Sequence, residues 1–524
     1  MKIHDSNGDC KPGSRKKEQL QTPQELASEL KQLAETFQAM ASKATQTCES
    51  FDQTERAVFE CILKMGFLAM QQFVSLQGDG DLGPDANTDG GKTLVRSEEP
   101  ARTKIRSIFG EHAFDEFTYS LGKNKTIQLR PISARMQVPA TRWSFLLEEF
   151  SQMFCVEQAF NQASDNLQTV FGSNFSVQTL EHVSGRVGKQ ADTFLDDLPQ
   201  PDPASEGKLL VASADGKGVP LVKKDAAKVA AFETAKSRPG NRKMATVASV
   251  YSVDRYDRSA QSVVEALFRD EKAEQKPSDK SGKRPEPQNK NTTAHFPSEH
   301  LDGSSKRAVS GTDEAMSWIS DQVDSRRQKN QTLIVHMDGQ ISLWAAVLLY
   351  LGTTLVPILD FLHVAIYVWE AAALFYKDRD EKERFARSRL LRLLQGDVEG
   401  VIRGLRRMGT IHKLRGEKLK TLSRICGYFE KNKQRMRYDV YLKQGYPIAT
   451  GVIEGACRHL VKDRMERTGM RWTLEGARSM LNVRAVFQSD HWKTFHQQRI
   501  RRLTEETHPH RNMIGQYTPL TLAS

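Results

Sequence analysis

The sequence predicts a mixed α/β domain flanked by helical regions, and three observations predict it. Apolar runs of strand length at residues 208–214, 245–251, 332–337 and 354–359 alternate with helical patterns. Three of these runs stop at an acid, Asp215, Asp338 or Asp360, and each of the first two acids is followed by glycine. On both sides of this stretch, apolar residues recur at helical spacing.

At 524 residues the chain is long enough for two to four domains. Hydrophobic residues at 38% and charged residues at 27% give an ordinary soluble profile and exclude a fibrous protein. Lys plus Arg outnumber Asp plus Glu by 76 to 65, with the excess in the C-terminal third, which favours a polyanionic partner. The six cysteines have no C-x-x-C spacing and no signal peptide precedes them, so they read as reduced thiols of a cytoplasmic protein. Residues 341–376 are apolar but interrupted by Gly352, Pro357, Asp360, His363 and Glu370, so helix, strand and helix are expected there, not a membrane span.

In chain order, residues 1–20 are polar and basic and read as a disordered tail. A helical region, 21–100, follows, with helices at 23–37 and 54–76 and a glycine- and aspartate-rich loop at 78–91. Region 101–200 holds a small hairpin turning at Gly122-Lys123-Asn124, then a helix, turn and helix over 156–188 with Ser176 as N-cap. Such a pair either presents Gln178, Thr179, His182 and Arg186 to a DNA groove or packs as an ordinary helical hairpin. The first part of the core spans 205–363, with the apolar-poor stretch 271–312 expected as a flexible loop. Residues 364–445 form a basic helical insertion, 446–500 carry the last core helix and C-terminal helices, and 501–524 are expected as a tail.

Isolated carboxylates at strand ends and one within a helix, Glu454 in Gly451-Val452-Ile453-Glu454-Gly455, are what divalent ions need for phosphoryl transfer. Taken singly, Asp-Gly is a common turn and Glu454 a solvated or capping residue. Cys457 and His459 lack a second pair at zinc-ligand spacing. Trp472 is expected in the core, with stacking on an unpaired base as the other reading.

At these residues the chain resembles the bacterial insertion-sequence transposases of the ISKra type, and more distantly the Mutator-like transposases. The resemblance rests on Ala214-Asp215-Gly216-Lys217-Gly218-Val219-Pro220, on Met337-Asp338-Gly339-Gln340 with Leu343-Trp344, on Asp360-x-x-His363, and on Gly451 to Gly455 through Arg471-Trp472. It covers roughly residues 100–500 and is strongest after Lys208. It implies an RNase H-like α/β catalytic core with a helical insertion, preceded by a mainly helical DNA-binding region. It also implies a DDE transposase whose catalytic and metal-binding acids are Asp215, Asp338 and Glu454. Asp360 and His363 are then auxiliary, with Asp360 the competitor for the second ligand.

Mg2+ is the implied cofactor, with Mn2+ substituting. The partners implied are the transposon's terminal inverted repeats, target DNA and further copies of the chain. Gln178, Thr179, Arg186, Arg403, Arg406, Arg407, Lys462, Arg464 and Arg471 are the candidate DNA contacts, and the protein would be nucleoid-associated when bound. A nuclease without strand transfer, or an inactive DNA-binding derivative, would use the same features. The polar stretch 271–312 is the departure from the family pattern.

Overall fold

The computed structural model describes residues 20–88, 91–232, 240–268, 284–302, 305–515 and 517–522. Contacts divide the chain into two units, one of residues 1–153, 161–176 and 496–524 and the other of residues 154–160 and 177–495. The expected tail at 1–20 lies, except for Leu20, outside the described residues.

The first unit opens with an antiparallel helical hairpin, α1 (Pro23–Gln46) and α2 (Phe51–Ser75). Both helices begin with a capping box, Thr22 with Glu25 and Ser50 with Gln53, which fixes their starts. Strands β1 (Asp85–Asn87), β2 (Thr93–Arg96), β3 (Ala101–Ser107), β4 (Gly110–Glu116), β5 (Tyr119–Ser120) and β6 (Ile127–Leu129) follow, then helix α3 (Pro131–Arg135). They form a sheet of order β1-β2-β5-β6 and a separate β3/β4 pair. The expected turn at 122–124 joins β5 to β6, but the larger β3/β4 hairpin was not legible. Its buried positions are Thr103, Ser107, His112, Phe114 and Glu116, so a mostly polar face points inward and no apolar alternation marks it.

Two expectations are corrected here. The region 21–100 is not wholly helical, since β1 and β2 occupy its end. Residues 501–524 are not simply a tail: Ile514 is buried in a cluster with Leu94, Tyr119, Leu129 and Ala134, and the Gly80 amide donates to the Tyr517 hydroxyl at 3.0 Å.

Burial pushes the His112 imidazole down to about 4. In the unfolded chain it titrates near 6.5, so the unfolded state holds more protons between the two values and stability falls as pH drops through that window. The expected loss approaches about 3 kcal/mol by pH 4. Urea unfolding followed from pH 7 to pH 4 should show this slope added to that of the other buried histidines, among them His295, His336 and His496, and His112→Gln should reduce it by that one share.

Chain order continues with α4 (Phe145–Glu157), α5 (Phe160–Phe171) and α6 (Val177–Asp196). In the second unit, α6 is followed by β7 (Leu209–Pro220), α7 (Lys223–Phe232), β8 (Arg242–Val253), α8 (Ala260–Leu267), β9 (Gln288–His295), β10 (Ser298–Asp302) and β11 (Ser305–Val309). Helix α9 (Gly311–Arg326), β12 (Thr332–Met337), α10 (Ile341–Leu351), β13 (Val356–Leu359) and α11 (Phe361–Phe375) complete the first half. The central sheet has the order β13-β12-β7-β8-β9. Strands β7, β8 and β9 are antiparallel neighbours, while β12 runs parallel to β7 and β13 parallel to β12. The protein is therefore mixed α/β, as the alternation of patterns predicts.

The flexible loop expected at 271–312 is overturned over residues 288–302 and 305–312, which hold β9, the β10/β11 hairpin and the start of α9; residues 269–283 lie outside the described residues. The sequence of β9, Gln-Asn-Lys-Asn-Thr-Thr-Ala-His, has no apolar period because this edge strand is held by polar contacts. Asn291 bonds Gln322 and His491, and the Thr292 amide donates to Ser489 Oγ.

The basic segment forms α12 (Arg379–Leu394), α13 (Val398–Ile411), α14 (Gly416–Asn432) and α15 (Tyr438–Lys443), all helical as expected. Its apolar faces share one cluster with the sheet, in which Leu390, Leu405, Phe429 and Tyr438 join Val211, Ile334 and Ile358. Then come α16 (Gly451–Ala456), a π-helical turn (Cys457–Lys462), α17 (Asp463–Met465), α18 (Leu474–Gln488) and α19 (Trp492–Thr507). Residues 341–376 fold as helix, strand and helix, as expected. Among the described residues, α2 alone is long and apolar enough to cross a membrane by length and composition, and it carries Asp52, Glu55, Arg56, Glu60 and Lys64.

Candidate metal centre

Strand register builds the site. His336 of β12 pairs with Ser213 of β7, and Met337 with Leu359 of β13. Carried on by one or two residues, that register sets Asp338 beside Asp215 on one flank and beside Asp360 on the other. Asp338 and Asp360 directly follow the ends of β12 and β13, whereas Asp215, expected at a strand end, lies inside β7, which runs on to Pro220 paired with β8; the three acids stand in a row across neighbouring strands about 4.8 Å apart. Asp-Gly after an apolar run is the local signal for the first two, and Asp360 caps α11 by accepting from the Leu362 amide at 3.1 Å.

The segment leading into α16 is laid over these strand ends. His336 Nε2 donates to the Pro447 carbonyl (2.8 Å) and the Phe361 amide to that of Ile448 (3.0 Å). The Thr450 amide and hydroxyl donate to Asp360 Oδ1 and Oδ2 at 3.2 and 2.7 Å. Thr450 precedes α16, so these bonds bring Glu454 to the row of acids. Asp360, His363 and Glu454 each offer a ligand atom within 4.8 Å of the others.

Beyond Glu454, buried Arg484 donates to the carbonyls of His459 and Leu460 in the π-helical turn. A π turn leaves such carbonyls without their ordinary helical partners, and the guanidinium supplies them. The same helix is anchored at Arg464, whose Nε donates to the Cys155 carbonyl at 2.8 Å.

The acids differ in what satisfies them. Asp360 is 1% exposed and accepts four hydrogen bonds, from the Leu362 and Thr450 amides, the Thr450 hydroxyl and His363 Nδ1 (2.8 Å). Burial pushes its carboxyl up, but the bonds from His363 and Thr450 and the neighbouring imidazoles outweigh that and hold it below the usual range. The Asp360 hydrogen bond, opposed by burial, raises His363 to about 9, so it is an imidazolium at neutral pH.

Asp338 Oδ1 accepts from the Gln340 amide at 2.8 Å, and Asp215 Oδ2 faces the Cys457 thiol at 3.6 Å. Among the described residues, no hydrogen bond reaches Asp338 Oδ2 or the Glu454 carboxylate. Burial first, and then the charges of neighbouring acids, raise both Asp338 and Glu454. The half-buried Asp338 and the exposed Glu454 carry carboxylate oxygens that no protein group occupies, hard donors of the kind Mg2+ and Mn2+ take, so the residues present fit such an ion. Asp360 has no lone pair to spare, and its place is to hold Thr450 and His363.

The remaining predicted residues are placed as follows. Gln178 and His182 are exposed on α6, while Thr179 and Arg186 are half-buried; α6 packs along α18 so closely that Gly188 lies against the Ser479 backbone. Arg186 and Arg471 line one cavity of about 710 Å³ with Phe160 and Trp472. Lys462, Arg403, Arg406, Arg407 and Arg471 are exposed. Arg403 pairs with Glu399 and Arg406 with Glu430, which neutralises part of the basic face.

Arg464 is corrected: it is fully buried, its guanidinium stacked on Phe160 and Trp472, and cannot meet DNA. Trp472 is a core residue as expected. Cys457 is buried against Asp215 while His459 is exposed beside Asp463, so they do not converge as zinc ligands.

Sequence reasoning missed Thr450, Arg484 and Tyr428. Tyr428 of α14 packs so tightly on Gly339 that any Cβ there would fall 2.1 Å from its ring. A glycine directly after Asp338 was the one local hint of that approach. Comparison with protein-family models and with curated proteins gave no match to this chain.

Proposed function

We propose that the chain is a DDE transposase that cleaves DNA at the ends of an insertion sequence and joins them to target DNA. The observation that carries this reading is the equal register of Asp215 and Asp338 on adjacent parallel strands, with Asp360 next in the row and Glu454 within ligand distance of Asp360 and His363. The sheet order, with β7, β8 and β9 antiparallel and β12 and β13 parallel to β7, supports an RNase H-like core.

Asp215, Asp338 and Glu454 would hold Mg2+, or Mn2+ in its place, which when bound activates the attacking oxygen and steadies the leaving one. The protein's own part is to position these carboxylates. Asp360 and Thr450 set the angle of α16, Tyr428 closes on Gly339, and the His363 imidazolium offsets the mutual repulsion of the acids. Clustered carboxylates, half-buried at Asp215 and Asp338 and exposed at Glu454, repel the DNA phosphate until an ion is present.

Exposed bases on the helical insertion, with Gln178, Thr179, Arg186, Lys462 and Arg471, would contact terminal inverted repeats and target DNA. Among the described residues Arg407 has no ion-pair partner, whereas Arg403 and Arg406 have glutamates. Arg407→Ala is therefore expected to weaken DNA binding more than Arg403→Ala and to lower the salt slope by about one. Filter binding across a salt series measures both.

The function itself is tested by incubating the protein with labelled DNA carrying the element's ends and Mg2+ or Mn2+. Cleavage with joining to a second DNA is expected. Cleavage without joining would make the protein a nuclease. Specific end binding without cleavage would make it an inactive derivative.

A further inference from the structure

The first unit holds a cavity of about 430 Å³ whose positive charge the chain leaves unbalanced. Arg130, Ser133, Arg142 and His508 line it together with Leu129 and Pro139, and among the described residues no acid does so. Arg130 sits between β6 and α3 and Arg142 in the turn before α4, so two guanidiniums from separate segments converge there. A third, Arg511, is held by the Gln137 amide oxygen at 2.9 and 3.1 Å, and its charge acts on His508.

The acid that acts on both Arg142 and His508 is Glu116, at the end of β4, and it is already engaged. It is fully buried and accepts from the Ser133 amide, the Ser133 hydroxyl and the Thr103 hydroxyl at 2.9, 2.6 and 2.9 Å. Arg130 reaches it only through Nη1, at 3.5 Å. Among the described residues Arg142 has no ion-pair partner, and its one side-chain hydrogen bond runs from Nη1 to the Ser133 hydroxyl at 3.2 Å. The remaining donors of both half-buried guanidiniums are left to whatever occupies the cavity. Burial first, and then the charge of Arg130, depress the Arg142 guanidinium, and Glu116 offsets less than Arg130 adds.

The backbone beside this cavity is strained. Arg142 has a φ of 62° and Gln137 one of 55°, in the left-handed region that favours glycine. Bonds from the Arg106 amide to the Arg142 carbonyl (2.8 Å) and from the Arg142 amide to the Pro139 carbonyl (2.9 Å) hold Arg142 there. An arginine stands where glycine is less strained, yet its guanidinium makes a single hydrogen bond within the protein. That combination points to work done by the side chain on a ligand.

We infer that the cavity binds the terminal phosphate of a nucleotide, either free or at the end of a nucleic-acid strand. A tetrahedral phosphate offers oxygens to both guanidinium forks, whereas a planar carboxylate is filled by one. Three guanidiniums against one carboxylate leave an excess that matches a phosphate monoester dianion better than the single charge of a diester. A diester must also continue on both sides, and Arg130, its side chain 28% exposed, does not stand out on a surface along which a strand could run. The volume falls among those of small-ligand sites and leaves room beyond the phosphate for a sugar and base against Leu129 and Pro139. All the lining residues belong to the first unit, so the cavity shares none with the metal centre and is independent of the DNA-cleavage reading.

The test is isothermal titration calorimetry of the full chain, without divalent ions and at about 0.1 M salt, so that neither the metal centre nor diffuse electrostatics holds the probe. The probes are deoxyadenosine monophosphate, deoxyadenosine, and one single-stranded oligonucleotide carrying either a 5′-phosphate or a 5′-hydroxyl. A probe with the terminal phosphate should bind at least about 30-fold more tightly than its counterpart without it. Arg142→Gly should abolish that preference with no loss of thermal stability, because glycine suits the positive φ. Arg130→Gln, which keeps a donor for Glu116, should abolish it too, with circular dichroism confirming the fold of both variants. Binding of the mononucleotide assigns the cavity to a free nucleotide, and binding of the phosphorylated strand alone assigns it to strand ends. Equal binding with and without the terminal phosphate, or a preference that survives either substitution, would overturn the proposal.

Discussion

Asp338→Ala is expected to lower cleavage of end-bearing DNA by about 10³-fold or more while leaving end binding within a few-fold of wild type. The reason lies in how the acids are satisfied. Asp338 keeps one carboxylate oxygen free of hydrogen bonds, and burial with the Asp215 and Asp360 charges raises its carboxyl, so it is poised to take a cation. Asp360→Asn should behave differently. Its carboxylate is spent on Leu362, Thr450 and His363, so the amide substitution should misplace α16 and reduce cleavage by about 10- to 100-fold.

Thr450→Val should reproduce the smaller effect, because it loosens the same helix from the other side of the bond. Full activity in Asp338→Ala would remove it from the site and promote Asp360. An equal loss in all three variants would mean that placement of α16, not ligation, governs the rate. Single-turnover cleavage assays with saturating DNA separate these outcomes.

The largest expected effect on stability is at Arg326 and Glu206. Their side chains are 1% and 2% exposed, Arg326 Nε meets Glu206 Oε1 at 2.9 Å and Nη2 meets Oε2 at 3.3 Å. Arg326 Nη1 also reaches the Val250 carbonyl, so the pair joins α9, β8 and the segment that enters β7. Glu206→Ala would leave a guanidinium buried and unpaired, at a cost of roughly 3–5 kcal/mol. The double substitution Glu206→Leu with Arg326→Met should recover most of that loss, since it removes both desolvated charges. Urea unfolding of the three variants gives the comparison, and a Glu206→Ala loss below about 1 kcal/mol would show that water reaches the pair.

Much of the α/β core was legible because its strands are buried on both faces. Residues 209–214 and 333–337 read as continuous apolar runs; Asp338-Gly339 marks the end of β12, whereas β7 runs through Asp215-Gly216 to Pro220, paired with β8. The helices of the insertion were legible from their basic helical pattern, and α1 and α2 from their period, though the caps that start α2 at Phe51 instead of residue 54 were not read. The β3/β4 hairpin and β9 were not legible, since their buried positions are Thr, Ser, His, Asn and Glu, whose burial depends on partners elsewhere in the chain.

The candidate site divides in the same way. Asp215, Asp338 and Glu454 could be named from local sequence, whereas their ranking against Asp360 could not. That ranking depends on which oxygens are already bonded, and the decisive donor, Thr450, lies 90 residues from Asp360. Arg464 misled for the converse reason. Its charge suggests the surface, but Phe160, Trp472 and the Cys155 carbonyl, brought together only by folding, supply enough stacking and hydrogen bonding to bury it.

By itself the sequence determined the alternation of strands and helices, the acids that follow the apolar runs and the basic helical segment, because these are local patterns of polarity and period. Only the tertiary structure decided which acids remain open to a cation, which arginines face solvent and how Glu454 is carried to the strand ends. Those outcomes turn on hydrogen bonds and packing between residues far apart in the chain, and no local pattern encodes them.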